Sequence, residues 1–196
     1  MKKFLLMAMA LIFVVGIMPG CHNLAGDFSP VETYVNSYEI AGAVAPLGKV
    51  YLARLEETGV LVGDKLVKFK ANYVTARNII LQAGDTLDKY IDNPSGSVVA
   101  SYPVLMQQFV IMLADLTGGM VVNSPKGKIN VIKDAKLKAV GDKLGPDEIL
   151  LGLNMLIVII DKIIGMYSPV ETLTAEQKAA YHLRIDFVRK AIPEWP

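Results

Sequence analysis

Residues 66–90, LVKFKANYVTARNIILQAGDTLDKY, decide the fold class of this chain. Apolar side chains within them alternate steps of three and four residues without a miss, at Leu66, Phe69, Tyr73, Ala76, Ile80, Ala83, Leu87 and Tyr90. That spacing places them on one face of an α-helix as a continuous heptad stripe. The stripe predicts a long helix in an antiparallel bundle, because short connections favour packing within one chain. The pattern leaves an intermolecular coiled coil, and hence a homo-oligomer, open as the alternative.

The segment before this stripe carries the signals of another helix. Ser29-Pro30-Val31-Glu32 combines a capping serine, a proline suited to the first helical position and a glutamate three residues after the serine, which together predict a capping box. The helix should run from Pro30 to about Thr58 and end at Gly59. Pro46 should kink or split it.

Turn residues at Asp92–Gly96 end the stripe helix, and further helices follow. The predicted segments are one within Val98–Val122, with Gly118-Gly119 near its end, then Lys133–Leu144, Asp147 to about Met166, and a last helix from the capping box Thr174–Gln177 to about Ile192. Ile129–Ile132 has the character of a brief strand. The chain is therefore predicted to be all-α, a single bundle of about five to seven helices that occupies residues 29–196.

Two of these segments are apolar enough to raise the question of membrane insertion. Ile149–Ile160 (ILLGLNMLIVII) is apolar on every face, but its 12 residues are fewer than the roughly 20 that a span needs, and Asp161-Lys162 follows it. Gln107, Gln108 and Asp115 interrupt the other segment. We interpret both as buried helices, with Ile149–Ile160 at the centre of the bundle. The alternative is a membrane-perturbing protein that inserts the helices near 98–122 and 149–166.

The first 20 residues have the composition of a signal peptide. Lys2 and Lys3 give a positively charged start, and Phe4–Val15 is an uncharged apolar run of 12 residues, which suits a signal-peptide core and is short for a membrane span. Helix-breaking residues then lead directly to Cys21, the single cysteine of the chain. We predict residues 1–20 as the signal peptide and 21–28 as the lipidated cysteine with a short tether.

The stretch Ile17-Met18-Pro19-Gly20-Cys21 resembles a lipobox, the recognition site of the bacterial lipoprotein class. Gly20 and Met18 suit the pattern, whereas Pro19 departs from the usual alanine or serine. The resemblance implies cleavage between Gly20 and Cys21, a thioether-linked diacylglyceryl group on Cys21 and an acyl chain such as palmitate on the new amino terminus. His22 in place of aspartate implies transfer to the outer membrane, facing the periplasm. The alternative is an uncleaved membrane anchor with an incidental cysteine.

Charge and cysteine content exclude several classes of function. Without Lys2 and Lys3, the 20 basic residues become 18 against 19 acidic ones, a formal charge of −1, which gives no electrostatic footprint for nucleic acid. One cysteine forms no intrachain disulfide. The sequence contains no hydrolase, metalloprotease, P-loop or dinucleotide-binding motif, so we assign no catalytic residue and no cofactor.

One pair of residues has the spacing of a metal site. His182 and Asp186 stand four residues apart, but zinc needs three or four ligands and the only other histidine is His22, beside the anchor. We predict a surface ion pair and no metal. The expected function is a non-catalytic scaffold or partner-binding module for an envelope protein, held at the membrane by its lipid. An enzyme with an unrecognised site is the weaker alternative.

Overall fold

The computed structural model describes residues 29–93, 96–116, 119–123, 129–133, 154, 156–160, 163, 172–192 and 194. The elements are α1 (Pro30–Glu57), α2 (Gly63–Asp92), α3 (Gly96–Leu116), β1 (Gly119–Asn123), β2 (Ile129–Lys133) and α4 (Ala175–Ala191). A further helical segment contributes residues 156–160. The predicted helical bundle is confirmed, with one short hairpin added to it.

The heptad stripe of α2 lies inside this chain's own core. Its residues from Tyr73 to Tyr90 are at most 3% exposed, and Leu66 and Phe69 at its start are half-buried against the core. Helix α2 packs against α1, α3 and α4. The stripe is therefore the seam of an intramolecular bundle, and the coiled-coil alternative for this face is wrong.

Helix α1, rather than a later apolar segment, lies at the centre of the described bundle. Fifteen of its 28 residues are buried, and it packs against α2, α3 and α4. The prediction that Ile149–Ile160 is buried on every side is wrong for Val158, which is 66% exposed, although Leu156 and Ile160 are core residues as expected. The first half of that segment, including Leu151, lies outside the described residues.

The ends of α1 and α4 follow their sequence signals closely. Ser29 Oγ accepts a hydrogen bond from the Glu32 amide at 3.2 Å, as in the predicted capping box, but the Glu32 carboxylate pairs with Arg184 instead of completing the box. Gly59, at φ 67°, allows the chain to turn back at the end of α1. Helix α4 has both halves of its predicted capping box, between Thr174 and Gln177.

The structure differs from the sequence prediction at Pro46, which does not split α1. Helix α3 ends at Leu116, shortly before the Gly118-Gly119 pair that was expected near its end. Gly119–Asn123 then pairs antiparallel with Ile129–Lys133, so the predicted strand at Ile129–Ile132 is confirmed, whereas its partner strand was not predicted. β-Branched residues in both strands favour this pairing. The predicted helix over Lys133–Leu144 lies outside the described residues.

Two glycines allow α1 to approach its neighbours closely. A methyl group on Gly42 would clash with the Val188 side chain of α4, and one on Gly84 would clash with the Tyr38 hydroxyl of α1. At a third contact, the Tyr34 ring packs edge-on against Tyr102 with their centroids 5.3 Å apart. These contacts set how closely α4, α2 and α3 pack against α1.

Candidate functional site

Helix α4 is docked on the bundle by an apolar seam with charged groups beside it. Ile185, Val188 and the adjoining Ile192 are at most 4% exposed. Charged groups and one amide lie on either side of this seam, and we call them the α4 clasp: Glu32, Asn36 and Glu39 of α1, Asp85, Asp88 and Asp92 of α2, and Lys178, His182, Arg184 and Arg189 of α4. The cations come from α4 and the carboxylates from its neighbours, so the helix is held by complementary charge.

Arg184 is the centre of the clasp on the α1 side. Its Nε and Nη2 donate to the two carboxylate oxygens of Glu39 at 2.7 and 2.8 Å, a bidentate pair, while Nη1 donates to Glu32 at 2.9 Å and Nη2 to Asn36 at 2.6 Å. Residues 32, 36 and 39 share one face of α1, which makes this convergence possible. The hydrogen bond to Glu39 is the main cause of the raised pKa of Arg184.

His182 and Arg189 make the clasp on the α2 side. His182 Nδ1 lies 2.6 Å from Asp88 Oδ1, and Nε2 lies 3.0 Å from Asp92 Oδ1. Arg189 Nη2 contacts Asp88 at 2.5 Å and Asp85 at 2.8 Å. The carboxylates at 85, 88 and 92 share a face of α2 beside its heptad stripe, so the packing of the stripe also positions them.

The predicted pair of His182 with Asp186 is not the one that forms. Asp186 pairs with Arg189 at 3.0 Å, and His182 turns to the two aspartates of α2. Helical spacing identified residues that can meet along one helix, but it carried no information about which residues of α2 face α4. Both ring nitrogens of His182 therefore serve contacts between helices.

The environment of His182 favours its charged form. Partial burial works against the imidazolium, but the hydrogen bonds to Asp88 and Asp92 outweigh it, so the pKa of His182 is raised. Lys178 contacts the backbone carbonyl of Asp92, and Arg189 shares Asp88. These two cations share the aspartates that His182 contacts.

We expect the contribution of His182 to stability to depend on pH. Because its pKa is raised by folding, the contribution is fully present below the unfolded value and is lost as pH rises through the folded one. His182→Gln should therefore cost about 0.5–1 kcal/mol in mildly acidic buffer and much less in mildly alkaline buffer, as for other half-exposed pairs. Urea melts at both pH values measure this. Lys190→Gln is the control, and a pH-independent cost for His182→Gln would contradict the assignment.

The opposite side of α4 faces away from the bundle. Leu183 is 73% exposed and Phe187 is 75% exposed, one helical turn apart. Ala179 and Ala180, also exposed, precede them on the same side. Together they form the most exposed apolar surface among the described residues.

The predicted lipidation and cleavage residues Cys21 and Gly20, with His22, lie outside the described residues. Within the described ranges, no group of three or more histidine, cysteine, aspartate or glutamate side chains is arranged to hold a metal ion. No helix in the described part of the chain is long and apolar enough to cross a membrane.

Sequence reasoning missed both the Arg184 contacts and the exposed Leu183–Phe187 pair. A usable signal was present: carboxylates recur at helical spacing on α1 and α2, and cations recur on α4. The signal did not show which helices pack against each other.

Comparison with protein-family models, with curated proteins and with solved structures found no match to this chain.

Proposed function

We propose that this chain is a bacterial envelope lipoprotein, processed before Cys21 and held by lipid on that residue. The observation that carries the proposal is the Gly20-Cys21 junction, which follows a 12-residue apolar run and the positively charged Lys2-Lys3. The three features occur in the order and at the spacing that export and lipidation require. Two or more acyl chains hold a protein stably at a membrane, whereas one chain does so only marginally.

Behind the anchor, we propose a non-catalytic helical domain that works as a scaffold or partner-binding module. The described bundle supports this use because its interior is filled by apolar and tyrosine side chains. The α4 clasp holds α4 in a defined orientation on that interior. A rigid, well-packed body is suited to binding, since little ordering is lost when it meets a partner.

The location that we propose is the outer membrane, with the domain in the periplasm and an envelope protein as its partner. The basis is the residue after the cysteine, His22, in the position where aspartate retains lipoproteins at the inner membrane in many Gram-negative bacteria. The near-balanced charge of the processed chain fits a protein partner better than a nucleic acid.

Cys21→Ser should abolish processing and lipid attachment together. Without the thiol there is no acceptor for the diacylglyceryl group, so we expect a precursor of higher mass and loss of the lipidated form. The measurement is gel mobility and mass of the protein recovered from the cell envelope. His22→Ser is the matched control, one residue further on, and should be processed as the wild type. Normal processing of Cys21→Ser would disprove the lipoprotein assignment.

A further inference from the structure

The outward face of α4 is an apolar strip with Glu176 and Lys190 at its ends and Asp186 at its flank. Leu183 and Phe187 form its centre, with Ala179 and Ala180 on the amino-terminal side. Lys190 lies at the carboxy-terminal end of the strip and is exposed. Asp186, at its flank, is engaged by Arg189. We call this surface the α4 outer face.

Helix α4 runs parallel to α1, which places its start beside the start of α1. Arg184 contacts Glu32 and Asn36, and further along the two helices Val188 lies against Gly42. Leu183 is therefore level with about the second turn of α1, roughly 10 Å along the axis from Ser29 at a rise of 1.5 Å per residue.

The proposed lipid attachment site lies close to the same end of the bundle in sequence. Cys21 precedes Ser29 by eight residues. Even a fully extended chain of that length spans at most about 29 Å. A bilayer that holds the lipid on Cys21 is therefore within reach of the first half of α4, and the tether length limits how far the bundle can stand away from it.

We propose that the α4 outer face is a membrane-contacting surface, in which Leu183 and Phe187 enter the boundary between lipid headgroups and acyl chains. This inference rests on the proposed lipid anchor at Cys21. The helix lies along the membrane surface and does not span it. Its apolar side chains enter the interface while the ammonium group of Lys190 stays at headgroup level.

Two apolar side chains alone bind a bilayer weakly, but the lipid anchor compensates for this low affinity. Because the lipid on Cys21 keeps α4 near the bilayer, the contact of the α4 outer face is an intramolecular step at high effective concentration. The clasp contributes by holding Ile185 and Val188 inward, which keeps Leu183 and Phe187 on the outside. Anchor and surface together would fix the orientation of the domain on the membrane.

Another exposed apolar site offers a control at the same level of the bundle. Val104 of α3 is 51% exposed. The Tyr102 hydroxyl, two residues earlier, is 2.7 Å from Ser37 Oγ of α1, so Val104, about 200° further round α3, faces away from α1. Helix α3 packs against α1 and α2, as α4 does, but on another side of them. Val104 therefore tests apolar exposure near the same end of α1 on a different side of the bundle.

The experiment uses the processed, lipidated protein in vesicles of phosphatidylethanolamine and phosphatidylglycerol. Phe187→Cys, Leu183→Cys and Val104→Cys are each labelled with a nitrobenzoxadiazole fluorophore, since a thioether-linked Cys21 leaves the new cysteine as the single thiol. We expect labels at 187 and 183 to shift to shorter emission wavelength and to be quenched several-fold more by doxyl groups on the acyl chains than the label at 104. The label at 104 should instead be quenched by aqueous iodide.

Two results would overturn the inference. One is iodide quenching at 187 and 183 as strong as at 104. The other is protection from iodide without quenching by doxyl lipid, which would identify a protein partner or a second copy on this face. The mass of the N-terminal peptide from the same preparation separates the two proposals. A lipid-free Cys21 refutes the proposed function, whereas a lipidated Cys21 with aqueous labels refutes only the membrane-contacting surface.

Discussion

Ile80→Asp should leave the domain unfolded. Ile80 lies in the middle of the heptad stripe and is fully buried. Emptying such a site costs about 2–5 kcal/mol, and an unpaired carboxylate in an apolar interior adds several more. That sum is comparable with the whole stability of a domain, about 5–15 kcal/mol. Circular dichroism of the chain from His22 to Pro196 should show loss of the cooperative thermal transition.

The same helix supplies a control for this experiment. Val67→Asp places the same side chain at a position that is 68% exposed, and the free energy of unfolding should change by no more than about 0.5 kcal/mol. A wild-type melting curve for Ile80→Asp would mean that the stripe is not the core of the domain. The intramolecular bundle would then have to be abandoned.

Arg184→Ala should loosen α4 from the bundle at a cost of about 2 kcal/mol. The change removes the bidentate pair with Glu39 and the bonds to Glu32 and Asn36, leaving two carboxylates facing an empty site. The side chain is 30% exposed, so water compensates in part, and the cost stays below the 3–5 kcal/mol of a fully buried pair. Urea melts measure the loss.

Two further measurements, on Arg184→Lys and by hydrogen exchange, test how Arg184 stabilises the domain and whether it acts on α4 specifically. Lysine keeps the charge but not the planar fork, so it should recover less than half of the lost stability. In the Arg184→Ala variant, amide exchange should accelerate more in α4 than at the centre of α2. Equal acceleration in both helices would show that Arg184 supports the whole bundle and does not specifically hold α4.

Patterns that lie within one helix could be predicted from the sequence. The stripe from Tyr73 to Tyr90 is recognised from the spacing of its apolar residues, which alternates between three and four positions. That spacing puts them on one helical face, and their burial follows from it. The ends of α1 and α4 were equally predictable, because Ser29, Gly59 and Thr174 act on backbone groups a few residues away. Local chemistry determines these features, and the rest of the fold does not override it.

Features that depend on how helices meet could not be predicted in the same way. Helix α1 is buried on most of its circumference, although small residues and a serine interrupt its apolar positions, so no single stripe marked it as central. The apolar run at Ile149–Ile160 looked more buried than it is at Val158. The clasp needs Arg184 beside Glu39, 145 residues away in the chain, and only the packing of α1 against α4 brings them together.

Mass spectrometry of the amino terminus tests the proposed function most directly. The intact protein should be recovered from the cell envelope and then digested to release its N-terminal peptide. We expect that peptide to begin at Cys21 and to carry a diacylglyceryl group on the sulfur, with an acyl chain on the amino group. A Cys21 with a free thiol, or a mature chain that begins at another residue, would contradict the assignment of this protein as a lipid-anchored envelope protein.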